Sequence, residues 1–186
     1  VDVCTPTHTH LPLSLAAISA GRHVMSEKPL HTEAQPAFDA AALAASKGVR
    51  TKLGFTFRYS PAIRQIKQWV ADGTLGEIFH IHGFEQNCQW LYPEEPLRQI
   101  TPGTPRDKLI PASIVGYGSH LIDLMRWIGG EFGSVTSSMK NFIPERLVRG
   151  EEGMQRVPVD DGTVALVEYA NGIQGMLQTS YIAVGN

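Results

Sequence analysis

Lys28 stands out first among the residues able to do chemistry. It lies in the stretch Gly21–Leu30, GRHVMSEKPL, which reads as a helix stop, a short strand over His23–Met25 and a polar exit carrying Glu27, Lys28 and Pro29. Sheets of parallel strands place their chemistry at such exits, beyond the carboxyl ends of the strands. Proline pushes the preceding residue out of the α region, so Lys28 is held extended at the strand end. A lone lysine is usually a solvated loop residue, but this flanking pattern favours a functional one. The second pair is His120 and Asp123, three apart in SIVGYGSHLIDLMRWIGG and therefore on neighbouring positions of one helix face. An ordinary surface His–Asp pair is the competing reading. Gly116 and Gly118 each weaken a helix by about 1 kcal/mol relative to alanine. They imply a late helix start or a close approach to the backbone, and so favour a site modestly.

Two further groups are weaker. Cys4, His8 and His10 form one, and His80, His82 and Cys88 the other. Neither has the CxxC or HExxH type of spacing that marks a zinc site, so no metal is expected. Trp69, Trp90 and Trp127 are read as core or rim packing.

Positioning these residues requires two different kinds of unit. Val1–Thr5 reads as a buried strand ended by Thr5 and Pro6, and a helix follows with Leu11, Leu15 and Ile18 on one face. After the 23–27 strand, Thr32 and Gln35 form a capping box for an alanine-rich helix to Lys47, stopped by Gly48. A third strand is expected over Val49–Phe57. Strand, helix, strand, helix, strand is the pattern of a parallel α/β unit, half of a doubly wound sheet. Past Phe57 the character changes. Ser60–Pro61 opens a helix with Ile63, Ile66, Trp69 and Val70 on one face, followed by a strand over 77–85 and a long loop over 87–112. A helix over Ser113–Ile128 and strands over 134–143, 163–169 and 173–181 complete the chain, the last two joined by a two-residue hairpin at Asn171–Gly172. The fold class is thus α/β plus α+β. A partial Rossmann-type parallel sheet over 1–57 precedes an α+β domain over 58–186, with an open antiparallel sheet and helices on one face. Val164, Leu166 and Met176 should be covered by the 113–128 helix or by a second subunit, which makes a homo-oligomer through the sheet the expectation.

The 186 residues are 42% hydrophobic and 18% charged, with a formal net charge of −2. No basic cluster points to nucleic acid, and no apolar run approaches the ~20 residues that span a bilayer. Two cysteines are too few for a disulfide framework, no signal peptide is evident, and the cytoplasm is the expected location.

The residues resemble a family. VDVCTPTHTHLPLSLAAISAGRHVMSEKPL is similar to the second half of the nucleotide-binding domain of the Gfo/Idh/MocA oxidoreductases. GFTFRYSPAIRQIKQWVADGTLGEI resembles that family's domain crossover, GYGSHLIDLMRWIGG its G-x-H-x-x-D helix, and VPVDDGTVALVEYANGIQGMLQTS its large sheet. The resemblance implies reversible hydride transfer between NAD or NADP and a carbinol carbon of a sugar or polyol. It makes His120 the general base, with a reference pKa of about 6.5, and Lys28 the donor that stabilises the alkoxide. Asp123 completes the expected catalytic set, and Thr5, Pro6, His8, His10, Glu27, Lys28, Pro29 and Arg58 the cofactor side. It also implies a fragment that lacks the GxGxxG half of its first domain and is itself expected to be inactive. Many members carry aspartate four residues before the histidine; this chain has Gly116. Relatives that bind dinucleotide or sugar without chemistry, or that use NAD to cleave a glycosidic bond, are the alternatives.

Overall fold

The computed structural model describes residues 1–97 and 112–185; most of the loop expected over 87–112 lies outside the described residues. The chain divides into two compact units, Val1–Thr56 and Phe57–Asn186.

In the first unit three short strands, β1 (Asp2–Val3), β2 (Val24–Ser26) and β3 (Thr51–Leu53), pair in parallel in that order. Helices α1 (His10–Ser19) and α2 (Ala34–Ser46) connect them. Val3, Ala17, Ile18, Val24 and Ala44 form the core, so the alanines of both helices do what small residues do best, letting backbones approach closely. Two local expectations are corrected. The Thr32–Gln35 capping box does not form: Glu33 is the N-cap residue, without a side-chain cap bond. Gln35 donates instead to Asp39 one turn on, at 2.8 Å. The third strand is also shorter than expected. The amides of Phe55 and Thr56 turn back to the carbonyls of Leu53 and Gly54, both at 2.8 Å, and so leave the ladder.

The second unit opens with α3 (Pro61–Ala71) and β4 (His80–Gln86), followed by α4 (Gly118–Gly129). Then come β5 (Phe132–Lys140), the small pair β6 (Glu145–Leu147) and β7 (Met154–Arg156), β8 (Gly162–Tyr169) and β9 (Gln174–Ser180). Four strands make one open sheet in the order β4-β9-β8-β5. β5, β8 and β9 run antiparallel, but β4 adds to β9 in parallel, from His80 opposite Gln174 to Gln86 opposite Ser180. The sheet is therefore mixed. No hairpin ties β4 to β9, so chain order leaves its direction open. The β8–β9 turn is also one residue longer than expected. Tyr169 N–H donates to Ile173 O, and Gly172 (φ +89°) closes the three-residue loop in a conformation glycine favours.

Strand alternation gives this sheet two different faces. Ala165, Val167, Tyr169 and Leu177 pack with Met125 of α4, and Leu121 joins them. On the opposite face Leu166 is 65% exposed and Val164 48%, beside Met176 and His82 in the same cross-strand rows. The helix thus covers the face opposite the one that carries Val164, Leu166 and Met176. A separate core of Trp90, Leu97, Val148, Val157, Val159 and Tyr181 sits under the 145–159 segment.

Candidate functional site

At the carboxyl end of β1 the chain passes through Thr5 and Pro6 into a 3-10 turn over Thr7–Thr9, and Thr5 and Thr9 share a hydroxyl contact at 2.5 Å. At the carboxyl end of β2 it passes through Glu27, Lys28 and Pro29. Glu27 is exposed, as is His8; Lys28 and Pro29 are half-buried. One side chain joins the two turns. His10, only 2% exposed, lies with Nδ1 2.7 Å from the Pro29 carbonyl oxygen and Nε2 2.7 Å from that of Thr5. Parallel pairing brings the two strand ends side by side, and His10 at the start of α1 fixes their spacing. The Lys28 ammonium is partly withdrawn from water, and this desolvation lowers its pKa below the usual 10.5, with the Glu27 carboxylate opposing. A lysine held so is a less heavily hydrated donor than one in solvent.

In the second unit the chain places His120 and Asp123 on α4, 6% and 9% exposed. The segment before α3 reaches both. Phe57 stacks on the His120 ring, with centroids 4.2 Å apart and planes 15° from parallel. Arg58 donates from Nε and Nη2 to the two carboxylate oxygens of Asp123, at 2.6 and 2.5 Å. This bidentate geometry is the strong form of the pair, and it raises the Arg58 pKa further. The Arg58 guanidinium also lies over the Trp127 ring, 5.4 Å from its centroid. Phe57 and Arg58 are adjacent, so one short turn serves two residues a helical turn apart. Arg58, expected on the cofactor side, is in this unit the partner of Asp123.

Two positioning groups were not visible in the sequence. Asp160, 5% exposed, gathers the segment leading into α4. Its carboxylate accepts from Ala112 N–H at 2.6 Å, Ile114 N–H at 3.1 Å, Thr163 Oγ1 at 3.0 Å and the Ser113 hydroxyl. α4 itself starts at Gly118, after the segment that Asp160 holds, and not near Ser113. Asp161 next to it is fully buried and accepts from the amides of Phe142 and Ile143 and from Arg146. The adjacent pair in VPVDDG was a signal, but nothing local says what two buried carboxylates hold.

Among the described residues no group of three or more His, Cys, Asp or Glu could hold a metal ion. His80 and His82 share one strand face with ring centroids 6.2 Å apart. No described helix is long and apolar enough to cross a membrane.

Comparison with known proteins covers both units. Residues 1–55 match the oxidoreductase family with the NAD-binding Rossmann fold, and residues 63–186 match the GFO/IDH/MocA C-terminal domain. The chain is 30% identical to levoglucosan dehydrogenase of Pseudarthrobacter phenanthrenivorans, over 100% of its own length and 50% of the relative's. It is 29% identical to inositol 2-dehydrogenase 2 of Saccharopolyspora erythraea, over 93% and 45%. Among solved structures, an NAD binding oxidoreductase from Klebsiella pneumoniae superposes with a TM-score of 0.91 at 30% identity, over 100% of this chain and 48% of that one. Levoglucosan dehydrogenase in complex with NADH and levoglucosan superposes with a TM-score of 0.89 at 27% identity, over 100% and 48%. The chain spans about half the length of the curated relatives it matches. With both family domains matched in order along its length, the chain belongs to the GFO/IDH/MocA oxidoreductase family.

Proposed function

We propose that this chain carries the catalytic part of an NAD(P)-dependent dehydrogenase acting on a CH–OH group of a sugar or polyol. The observation that supports it most is the seat of His120, buried on α4 under Phe57, one turn before an Asp123 already neutralised by Arg58. The similarity to levoglucosan and inositol dehydrogenases supports the substrate class.

Alcohol oxidation removes a proton from oxygen while a hydride leaves carbon, and the nicotinamide supplies the hydride acceptor when bound. His120 takes the hydroxyl proton as general base. Arg58 balances the charge of Asp123, so the pair acts on the imidazole as a dipole and not as a lone carboxylate. Lys28 is the donor assigned to stabilising the alkoxide as it forms, and its partial desolvation strengthens an interaction of that kind. The turns after β1 and β2 fit a dinucleotide because both open at the carboxyl ends of parallel strands. Thr5, Pro6, His8 and Glu27–Pro29 would line it, with His10 holding the two turns in register.

The open face around Leu166, Val164 and Phe84 belongs to the same reading, as the contact between copies of the protein. Cys4 and Cys88 are exposed and not joined in a disulfide, and a cytoplasmic setting is part of the same proposal. The test is reduction of NAD+ or NADP+ by the full-length protein against anhydrosugars and inositols, followed by nicotinamide absorbance. Turnover with at least one polyol or sugar is expected. Tight dinucleotide binding without turnover on any of them would assign the protein to a regulatory role.

A further inference from the structure

Position 116 is closed to side chains, most tightly by Tyr181. A Cβ built on Gly116 would lie 1.7 Å from the Tyr181 hydroxyl oxygen, 2.9 Å from Tyr181 Cζ and 2.7 Å from the Ala112 carbonyl oxygen. Well-packed interiors do not absorb overlaps of that size. Tyr181 is itself firmly held. It follows β9, is 6% exposed, donates its N–H to Asp161 O at 2.8 Å and accepts from Trp90 N–H at 2.8 Å. Its ring stands edge-on to Trp90 at 5.3 Å and to Tyr117 at 6.1 Å.

The phenol oxygen accepts from Tyr117 N–H at 3.3 Å. Tyr117 O in turn accepts from His120 N–H at 2.9 Å. One residue, Tyr117, therefore links the phenol to the backbone of the histidine. Asp160 fixes the same lead-in three to five residues before Tyr117, at Ala112–Ile114. The turn into α4 is thus gripped at two points, one carboxylate and one hydroxyl. Burial pushes the Tyr181 phenol up to about 12, so its grip carries no charge at neutral pH.

We infer that Tyr181 is the positioning residue of His120, its hydroxyl standing where a side chain at position 116 would go. A neutral phenol that follows β9 occupies the volume a side chain at position 116 would fill. Gly116 is then the partner that Tyr181 requires, and not a lost function. The inference rests on His120 being the base proposed above.

The experiment is a double-mutant cycle in the full-length protein, with Tyr181→Phe, Gly116→Ala and both together, and Gly116→Asp beside it. Three readouts are taken: turnover, melting temperature, and the His120 ring signal by NMR of histidine-labelled protein, assigned by its loss in His120→Asn. Tyr181→Phe is expected to keep the fold and the cofactor affinity, to move the His120 signal and to lower kcat about tenfold. Gly116→Ala and Gly116→Asp are expected to lower both kcat and melting temperature. Combining Tyr181→Phe with Gly116→Ala should cost less than the product of the single losses, because the new methyl then meets no hydroxyl. A Tyr181→Phe protein with wild-type kcat and an unmoved His120 signal overturns the inference, as does a Gly116→Asp protein with raised turnover. If the glycine variants do not fold, Tyr181→Phe alone decides. If His120→Asn keeps full turnover, the base assignment fails, while the His120 signal and the melting temperatures still test the contact.

Discussion

His10 and His120 are both buried histidines beside a candidate site, yet their surroundings set them opposite tasks. Both ring nitrogens of His10 face main-chain carbonyls, 2.7 Å away in each case. Such a ring is wedged between two main-chain carbonyls and serves as a strut between two turns. His120 instead lies against an aromatic ring, on a helix whose neighbouring carboxylate is already balanced by Arg58. Burial alone therefore does not mark a catalytic histidine. The groups packed around the ring tell the two apart.

Substitutions should separate the two. Replacing His120 by alanine in the full-length protein should lower kcat by about 10²–10⁴-fold and leave the dinucleotide dissociation constant nearly unchanged. Replacing His10 by alanine should do the reverse. Two carbonyls lose their partner and a cavity opens, at a cost of about 2–4 kcal/mol in denaturant unfolding. Dinucleotide affinity should fall with it. A His10→Ala protein as stable as the wild type would refute the strut.

Arg58→Met tests the ground on which His120 stands. It leaves the Asp123 carboxylate, 9% exposed, without its bidentate partner. Because Arg58 is itself 38% exposed, the loss is set at about 1–3 kcal/mol and not at the cost of a fully buried pair. Arg58→Met/Asp123→Asn should recover part of it. A double variant no better than Arg58→Met would mean that the carboxylate is solvated.

The smallest stability effect is expected at Lys28. Its folded-state pKa lies below the unfolded 10.5, so the unfolded chain binds more protons between those two values. Stability from this group therefore rises as pH climbs through the folded value towards 10.5, and below that window the desolvation cost is fully present. Lys28→Met should be at least as stable as the wild type at neutral pH, with a flatter alkaline profile, although turnover falls. Chemical denaturation at pH 7 and pH 10 reads both; a clear loss of stability at pH 7 would contradict the assignment.

The parts of this account that the sequence carried are those written in neighbouring residues. The alanine-rich run stopped by Gly48, the EKP exit after β2 and the Asn171–Gly172 turn are local patterns, and each appears near its expected place. The seat of His120 is not local. Phe57 is 63 positions away from it, and Asp160 lies 46–48 positions beyond the amides it gathers. Contacts of that span leave no periodicity behind. The start of α4 was readable only in part: a helix was expected from Ser113, Gly116 and Gly118 allowed a later start, and the helix begins at Gly118, after the segment that Asp160 holds. The direction of β4 was equally unreadable, since a strand added without a hairpin can run either way.

The central proposal is that His120 as base and Lys28 as donor serve the proposed reaction as a functional unit, and a kinetic cycle tests it most directly. kcat/KM would be measured for full-length wild type, Lys28→Met, His120→Ala and the double variant on the same polyol. Groups that work as a unit are not additive in their loss. The account predicts a double variant about as slow as the slower single one. Losses that multiply, the double variant falling by the product of the two, would show that the lysine and the histidine act independently and would contradict it.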